Sequence, residues 1–377
     1  MADVLIVGAG PVGLYLGALL LQHGVTVRIL ERRTARSKHT RAIGIHPPAL
    51  AALDRIGAAD PLIGRGICIR HGHAVWAGQD IAHMPFAPVS ERYPFVLAVP
   101  QPVTEAVLEA RVLELDSSAL LRGAEVTGMH DDGARVSVDA AVGGTGQKFT
   151  GAIAVGADGA NSAMRQLLGV PVSAKRYPEH YLMGDFPEST AYGLDAALFL
   201  EAGGIVESFP LPGAVRRWVV RLSAPPANPD AGLLAGLVCE RTGITVDADA
   251  NSMLSSFGVR TRLAGRMVAG RTALIGDAAH EISPIGGQGM NLGWLDAAAL
   301  EPLILGALQG RPVGAGLRRF DSSRHRAAAR ARHQAEINMA LGRPLSGRPL
   351  RLRNGTVARV AAVPALNALI ARRFTMQ

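Results

Sequence analysis

Short apolar runs that stop at a glycine alternate along this chain with longer segments whose apolar residues recur at helical spacing. Val4–Val7, ending at Gly8, reads as a short buried strand. Leu14 to Gln22 is apolar at helical spacing, Gly24 can cap that helix, and Val25–Leu30 is a second strand closed by Glu31. Strand, helix and strand in so short a stretch form a βαβ unit. The strand-to-turn pattern returns at Ile153–Val155, which runs into Gly156, Asp158 and Gly159 before Asn161 or Ser162 caps a helix carrying Arg165. It returns again at Thr272–Ile275, which meets Gly276 and Asp277. A turn with Pro284, Gly286 and Gly287 follows, then a helical segment over Gly289–Leu308. Between these last two, "HYLMGDFP" (His180–Pro187), "AALFLE" (Ala196–Glu201), "GIVESFP" (Gly204–Pro210) and "RRWVVRLS" (Arg216–Ser223) are β-like runs split by Pro and Gly. They predict an antiparallel sheet. Ala231–Arg241 predicts a helix, and Ser255–Arg262 a strand that returns to the first unit.

The first turn carries chemistry. Gly8, Gly10 and Gly13 give GxGxxG, with Pro11 and Val12 between them. Gly8 permits the tight turn, Gly10 lets the backbone approach a pyrophosphate, and Gly13 lets helix and strand pack closely. A diphosphate there faces free N–H groups and the positive end of the helix, worth roughly 0.3–2 kcal/mol per interaction. Glu31 stands where an acid takes ribose hydroxyls, followed by Arg32 and Arg33. The agreement of strand, helix, strand and terminal acid points to a dinucleotide but leaves FAD and NAD both open. The third stretch separates them. Asp277 can accept hydrogen bonds from sugar-alcohol hydroxyls, and Gly286, Gly287 and Gly289 let the backbone run against a flat ring. Met290 and Asn291 open a helix whose positive end suits the anionic edge of a reduced flavin. NAD has neither a ribityl chain nor that anion, so FAD is the expected cofactor.

Taken in order, the three stretches resemble the three flavin motifs of the class A flavoprotein monooxygenases, the single-component FAD aromatic hydroxylases of the p-hydroxybenzoate hydroxylase type. The resemblance spans nearly the whole chain. It implies that Gly8, Gly10, Pro11, Val12, Gly13, Glu31 and Arg32 hold the ADP half. It makes Arg41 in "TRAIGIH" the arginine that reaches the FAD phosphates, and Gln101 in "VPQPVTEAVLEAR" the glutamine at the cofactor's linker. Asp158 becomes the acid of the middle motif, and Gly276 and Asp277 the ribityl site. Gly287, Gly289, Met290 and Asn291 become the segment along the ring, with Pro284 beside flavin and substrate.

The implied fold is α/β. A Rossmann-type FAD-binding domain takes residues 1–66, 99–172 and 259–340, an inserted antiparallel substrate sheet takes 67–98 and 173–258, and a basic helical tail takes 341–377. No thioredoxin-like C-terminal domain is expected. The implied reaction is that NAD(P)H reduces FAD, O₂ adds at C4a, and the C4a-hydroperoxyflavin delivers one oxygen to a phenolic or polyketide-like aromatic of secondary metabolism. The cofactor carries the difficult step, so no triad, carboxylate pair or metal cluster is required. A base for the phenolic proton would help. His180, Tyr181, Asp185 and Arg221 are candidates by position, while His280 is expected to be a hydrogen-bonding core residue. No second GxGxxG serves nicotinamide, which agrees with transient NAD(P)H binding. The flavin-halogenase pattern WxWxIP is absent. Two other readings stay open: an FAD-dependent reductase or dehydrogenase of an isoprenoid or lipid, and a non-catalytic flavin-binding accessory protein.

Composition changes the picture only at its margins. The 377 residues suit one large α/β unit with a smaller one beside it, and 48% apolar residues indicate a substantial core. Cys68 and Cys239 lack metal-ligand spacing and are expected as small buried hydrophobes in a reducing, cytoplasmic setting. No signal peptide or membrane span is expected. The net charge of +8 invites nucleic acid, yet the 13 arginines from Arg318 onward face one Asp and one Glu. The basicity therefore belongs to the end of the chain, and without a recognition module no nucleic-acid partner is expected. That end reads as a solvated helical surface. "LNALIARRF" (Leu366–Phe374) mixes apolar and cationic residues and offers weak contact with anionic lipid. The expected partners are a small aromatic substrate, O₂ and NAD(P)H.

Overall fold

A strand that is apolar on both faces is stable only with layers on both sides, and the fully buried Val4–Val7 accordingly lies inside a six-stranded sheet. The structure is a computed structural model describing residues 2–36 and 42–377. Val27–Glu31 pairs in parallel with one side of the first strand (Val4↔Val27), and Ile153–Gly156 with the other (Val4↔Ile153). Leu120–Arg122 and Thr272–Leu274 extend the flanks in parallel, and Val268–Ala269 closes one edge in antiparallel. The first helix begins at Pro11, earlier than its apolar spacing indicates, because proline suits a position whose N–H would be unpaired anyway. The helices Pro11–Gln22, Gln101–Leu115 and Gln288–Leu308 pack together, and one core joins Ile6, Leu14, Ile29, Val112, Leu274 and Trp294. Burying each such side chain is worth about 1.5–3 kcal/mol.

The predicted β-runs belong to an eight-stranded sheet. Its order is His280–Glu281, Met253–Ala264, Val172–Pro187, Val215–Leu222, Val206–Leu211, Ala196–Phe199, His71–Trp76 and Gln79–Pro85. The expected all-antiparallel pattern fails at one place: Ala196–Phe199 runs parallel to His71–Trp76. These two strands come from separate insertions, so no hairpin fixes their relative direction. No linker lies at 258–259, because Met253–Ala264 crosses it as one strand, and the helix Gly314–Leu341 likewise crosses 340–341. The helix Ala231–Thr242 covers the sheet with Leu234 and Val238. Cys239, one position further round that helix, is exposed, and Cys68 is half-buried, which corrects the expectation of two buried thiols.

The basic end also departs from a uniformly solvated surface. Arg324 Nε donates to Asp296 Oδ1 at 2.6 Å, and Arg343 Nε to Glu179 Oε1 at 3.2 Å. Arg353 donates to the carbonyls of Leu341, Arg343 and Leu200. Two helices finish the chain, Gly347–Ala361 and Pro364–Phe374, with Ala371 buried and Phe374 stacked on Phe86 at 6.1 Å between centroids. Among the described residues, no helix is long and apolar enough to cross a membrane.

Candidate functional site

Val7, Glu31, Gly156 and Leu274 end four parallel strands of the first sheet. The chain leaves the central strand toward Val27–Glu31 on one side and meets Ile153–Gly156 on the other, which opens a crevice at the carboxyl ends. Each predicted flavin stretch lies just beyond one of these ends. A cavity of about 1720 Å³ opens there, and Gly8, Gly10, Pro11, Val12, Glu31, Arg32, Gln101 and Asp158 line it. Asp277, Pro284, Gly286, Gly287, Gly289 and Met290 line the same cavity. Sites for one small ligand usually measure about 300–1,000 Å³, so this one has room for an extended cofactor and a second molecule.

Three predicted residues stand behind the lining and build it. A Cβ on Gly13 would come within 2.0 Å of the Gly8 carbonyl oxygen, so this glycine lets helix and strand touch. Gly276 sits at φ +60° against Val12. Asn291 accepts from the His46 N–H at 2.8 Å and donates to the carbonyls of Gly44 and Gly287, clamping two loops together. Asp158 is likewise committed locally, accepting from the Ser162 hydroxyl at 2.5 Å and the Met164 N–H at 3.0 Å. Ser162 is the helix cap, and buried Arg165 donates to the carbonyls of Ala278 and Ala160, tying the second stretch to the third. Arg41 lies outside the described residues.

The cavity wall fits FAD on several counts. A Cβ on Gly10 would meet no heavy atom within 4 Å, so the turn leaves open space where a pyrophosphate needs it. The helices starting at Pro11 and Gln288 have no side-chain cap, so their first N–H groups stay available to an acceptor. Glu31 accepts from the Ala9 N–H at 2.7 Å and from Arg33 through both its N–H and Nε. Burial works to raise its pKa, but these hydrogen bonds outweigh it and hold the carboxyl below the usual range. Ionised Glu31 is thus a fixed carboxylate acceptor on the cavity wall. Asp277 is open to the cavity though enclosed by protein on its other sides. That enclosure first, and then Glu281 and Asp296, push it up to about 6 against the opposing pull of His280 and Arg260. Its exposure to solvent through the cavity moderates this shift, and hydroxyl donors of a ribityl chain would favour the anion.

Sequence reasoning missed Glu105, His46 and Glu207, all on the lining. Glu105 accepts from Gln101 Nε2 at 2.9 Å, and burial raises its pKa. Its only signal was the four-residue spacing from Gln101 on a helix. His46 meets the Gly286 carbonyl at 3.3 Å through Nε2, and burial lowers it to about 4, so the ring is neutral. His280 is the core residue expected of it: it lies 2.5 Å from Asp296, which also accepts from the Gly276 N–H and Arg324. Burial opposes the His280 cation, but Asp296 outweighs that and holds its pKa above the ordinary value.

The face of the eight-stranded sheet forms the rest of the cavity, with Met183, Leu198, Phe209 and Val219, and the last two helices add Val360, Ile370 and Phe374. Of the four predicted candidates for a base, only His180 reaches the lining. Asp185 is bound by buried Arg217 at 2.6 and 2.7 Å, Arg221 lies 3.7 Å from Glu179, and Tyr181 is fully buried. All three share a sheet face with Met183 and Val219, but Asp185 and Arg221 are held by ion-pair partners and Tyr181 is covered by protein.

A family model described as an FAD binding domain matches residues 1–335, which include all three predicted stretches. The 6-methylpretetramide 4-monooxygenase of Streptomyces rimosus is 30% identical over 315 residues, covering 82% of this chain and 56% of the relative. The chain thus spans little more than half the length of that relative. The dialkyldecalin synthase of Streptomyces rugosporus is 32% identical over 361 residues, covering 91% of this chain and 74% of the relative. The solved p-nitrophenol 4-monooxygenase of Pseudomonas putida gives a TM-score of 0.89 at 22% identity, over 100% of this chain and 98% of that one, a likeness of fold. With its strand-end crevice, open Gly10 turn and uncapped helix starts, the chain belongs to the FAD binding domain family, and FAD is its cofactor.

Proposed function

We propose that the chain is an FAD- and NAD(P)H-dependent monooxygenase that inserts one oxygen atom of O₂ into a phenolic or polyketide-like aromatic. The observation that carries this reading is a single cavity with two kinds of wall: a polar, glycine-lined strand-end crevice and an apolar sheet face. FAD, when bound, supplies the redox chemistry, taking electrons from NAD(P)H and activating O₂. The chain's own residues bind, orient and exclude water. Glu31 accepts ribose hydroxyls, Gly10 leaves space for the diphosphate, and Asp277 accepts from the ribityl chain. The N–H groups at the start of Gln288–Leu308 face the electron-rich edge of the ring. Met183, Phe209, Val219, Ile370 and Phe374 give an aromatic substrate apolar contact and keep water from the reacting centre.

The name of the 6-methylpretetramide 4-monooxygenase supports oxygen insertion. The dialkyldecalin synthase is named as a synthase and not an oxygenase, which supports a second reading in which FAD is held without oxygen transfer. The FAD-loaded chain given NAD(P)H, mono- and polycyclic phenols and ¹⁸O₂ separates the two. A product carrying one ¹⁸O, with NAD(P)H consumption stimulated by the phenol, is expected. Conversion without NAD(P)H, or peroxide as the sole oxygen product, would overturn the first reading. The free thiols of Cys68 and Cys239 support a cytoplasmic placement. Exposed Val363, Leu366 and Leu369 near Arg372 and Arg373 support weak contact with anionic lipid, which co-sedimentation with anionic vesicles tests.

A further inference from the structure

The apolar face of the eight-stranded sheet holds one carboxyl that no flavin motif accounts for. Glu207 lies on the strand Val206–Leu211, is 9% exposed, and lines the cavity. Strand register surrounds it with hydrocarbon: Leu198 and Val219 are its direct partners on the two neighbouring strands, and Met183 and Ala74 continue the row. Ile205, just before the strand, and Phe209, on it, each two residues from Glu207, also line the cavity. No hydrogen bond or ion pair among the described residues reaches its oxygens, and burial is the sole influence on its acidity.

The charged and titratable groups nearby are engaged elsewhere or uncharged. Arg217 is held by Asp185 at 2.6 and 2.7 Å, and Arg221 stands beside Glu179. Tyr181 keeps a buried hydroxyl without a partner, its pKa raised by burial first and then by the charge of Glu207. His180 lines the cavity from the adjoining strand, and the last two helices contribute only Thr356, Val357, Val360, Ala361, Asn367, Ile370 and Phe374. An unpartnered carboxyl in such a place destabilises the empty protein, and a ligand that donates a hydrogen bond to it removes that cost.

We propose that Glu207 receives a ring hydroxyl of the aromatic substrate and takes its proton as oxygen is transferred, an inference that rests on the monooxygenase reading above. The substrate O–H bond breaks, and Glu207 gains the proton as a neutral acid. The electron pair stays on the substrate oxygen and spreads to the ortho and para carbons. One of these carbons forms a C–O bond to one atom of O₂ as the O–O bond breaks. NAD(P)H has supplied the two electrons, and the second oxygen leaves as water. Loss of the proton from the attacked carbon restores the aromatic ring. Glu207 then returns its proton to the product or to water. Burial pushes Glu207 up to about 7, which narrows its distance from a phenol near 10 and makes it a usable acceptor at neutral pH.

The test pairs 2-naphthol with naphthalene in equilibrium dialysis against the FAD-loaded wild type, Glu207→Gln and Glu207→Leu. Wild type is expected to prefer 2-naphthol about tenfold or more, with affinity rising as pH passes through about 7, the figure that burial gives the carboxyl. Both variants should keep naphthalene binding, which shows an intact cavity, while losing the preference and its pH dependence. For an oxygenated phenol, kcat in wild type should rise through the same pH range and be flat and at least tenfold lower in Glu207→Gln. No preference for 2-naphthol in wild type, or an identical pH-dependent preference in Glu207→Gln, overturns the proposal whether or not ¹⁸O is inserted. A Glu207-dependent preference without ¹⁸O insertion supports the hydroxyl contact and removes the oxygen-transfer reading instead.

Discussion

At the carboxyl ends of the parallel sheet, the cavity is lined by backbone and by acids whose places follow from turns: Gly8 and Gly10 after one strand, Glu31 at the end of the next, Asp277 after another. On the face of the mixed sheet it is lined by side chains from strands far apart in sequence, such as Ala74, Leu198, Glu207 and Val219. The first wall needs glycines and acids at fixed offsets, because a ligand must approach the backbone closely. The second needs only volume and one well-placed polar group, and its residues meet through register. A backbone-built wall resists change through sterics, and a side-chain-built wall through complementarity. Substitutions should therefore fail differently on the two sides.

The largest effect is expected where the crevice is tied to the end of the chain. Asp296→Ala leaves His280 and Arg324 unpaired in the core and should cost roughly 3–5 kcal/mol in chemical denaturation. Its pH dependence has a definite sign. Asp296 is depressed by His280 and Arg324 against the effect of burial, so its contribution is present above the ordinary Asp value near 4 and is lost as pH falls through the lowered pKa. His280 is raised, so its contribution is complete below about 6.5 and fades as pH rises through the raised value. The advantage of wild type over the variant should thus peak in mildly acidic solution.

Next comes a pair of glycines that should part company. Gly13→Ala drives a Cβ to within 2.0 Å of a backbone oxygen and should lower apoprotein stability by roughly 3 kcal/mol or more. Gly10→Ala meets empty space at φ −76°, so the apoprotein melt should move by no more than about 0.5 kcal/mol. Its FAD affinity, read by flavin fluorescence, should nevertheless fall about tenfold or more, equivalent to roughly 1.4 kcal/mol. Equal stability losses in both variants would erase the distinction between building the wall and contacting the ligand.

The smallest stability change should reverse sign relative to function. Asp277 is raised to about 6, so the folded apoprotein binds a proton more readily than the unfolded chain and loses stability as pH climbs from about 4 to about 6. Asp277→Asn removes that loss. Its apoprotein should melt slightly higher than wild type at pH 8 and identically at pH 4, while FAD retention on gel filtration falls. A variant that keeps full flavin would contradict the ribityl role.

The strand-end crevice was legible because its chemistry is local. Gly8, Gly10 and Gly13 belong to one turn, and Glu31 and Asp277 each follow directly from a strand the apolar pattern predicts. Even there, the pattern did not reveal that Asn291 also clamps two loops and that Asp158, on the lining, also accepts within a helix turn, since these tasks and ligand contact favour the same short polar side chains. The sheet face was not legible. Glu207 sits in "GIVESFP", a run buried on both faces, where alternation does not reveal which side meets the cavity. His180 was expected on the same grounds as Asp185 and Arg221, and only the ion-pair partners that the fold brings to the latter two distinguish them. The closing role of Ile370 and Phe374 was hidden because a basic amphipathic helix reads alike whether its apolar side meets lipid or protein.

The account turns on where FAD lies, and a crystal structure of the FAD-loaded chain measures that directly. It should show the diphosphate at Gly8–Gly10, a ribose on Glu31, the ribityl chain on Asp277, and the ring between Gly286–Met290 and the sheet face carrying Glu207. A ring placed away from Gly286–Met290, or an adenine occupying that end, would contradict it.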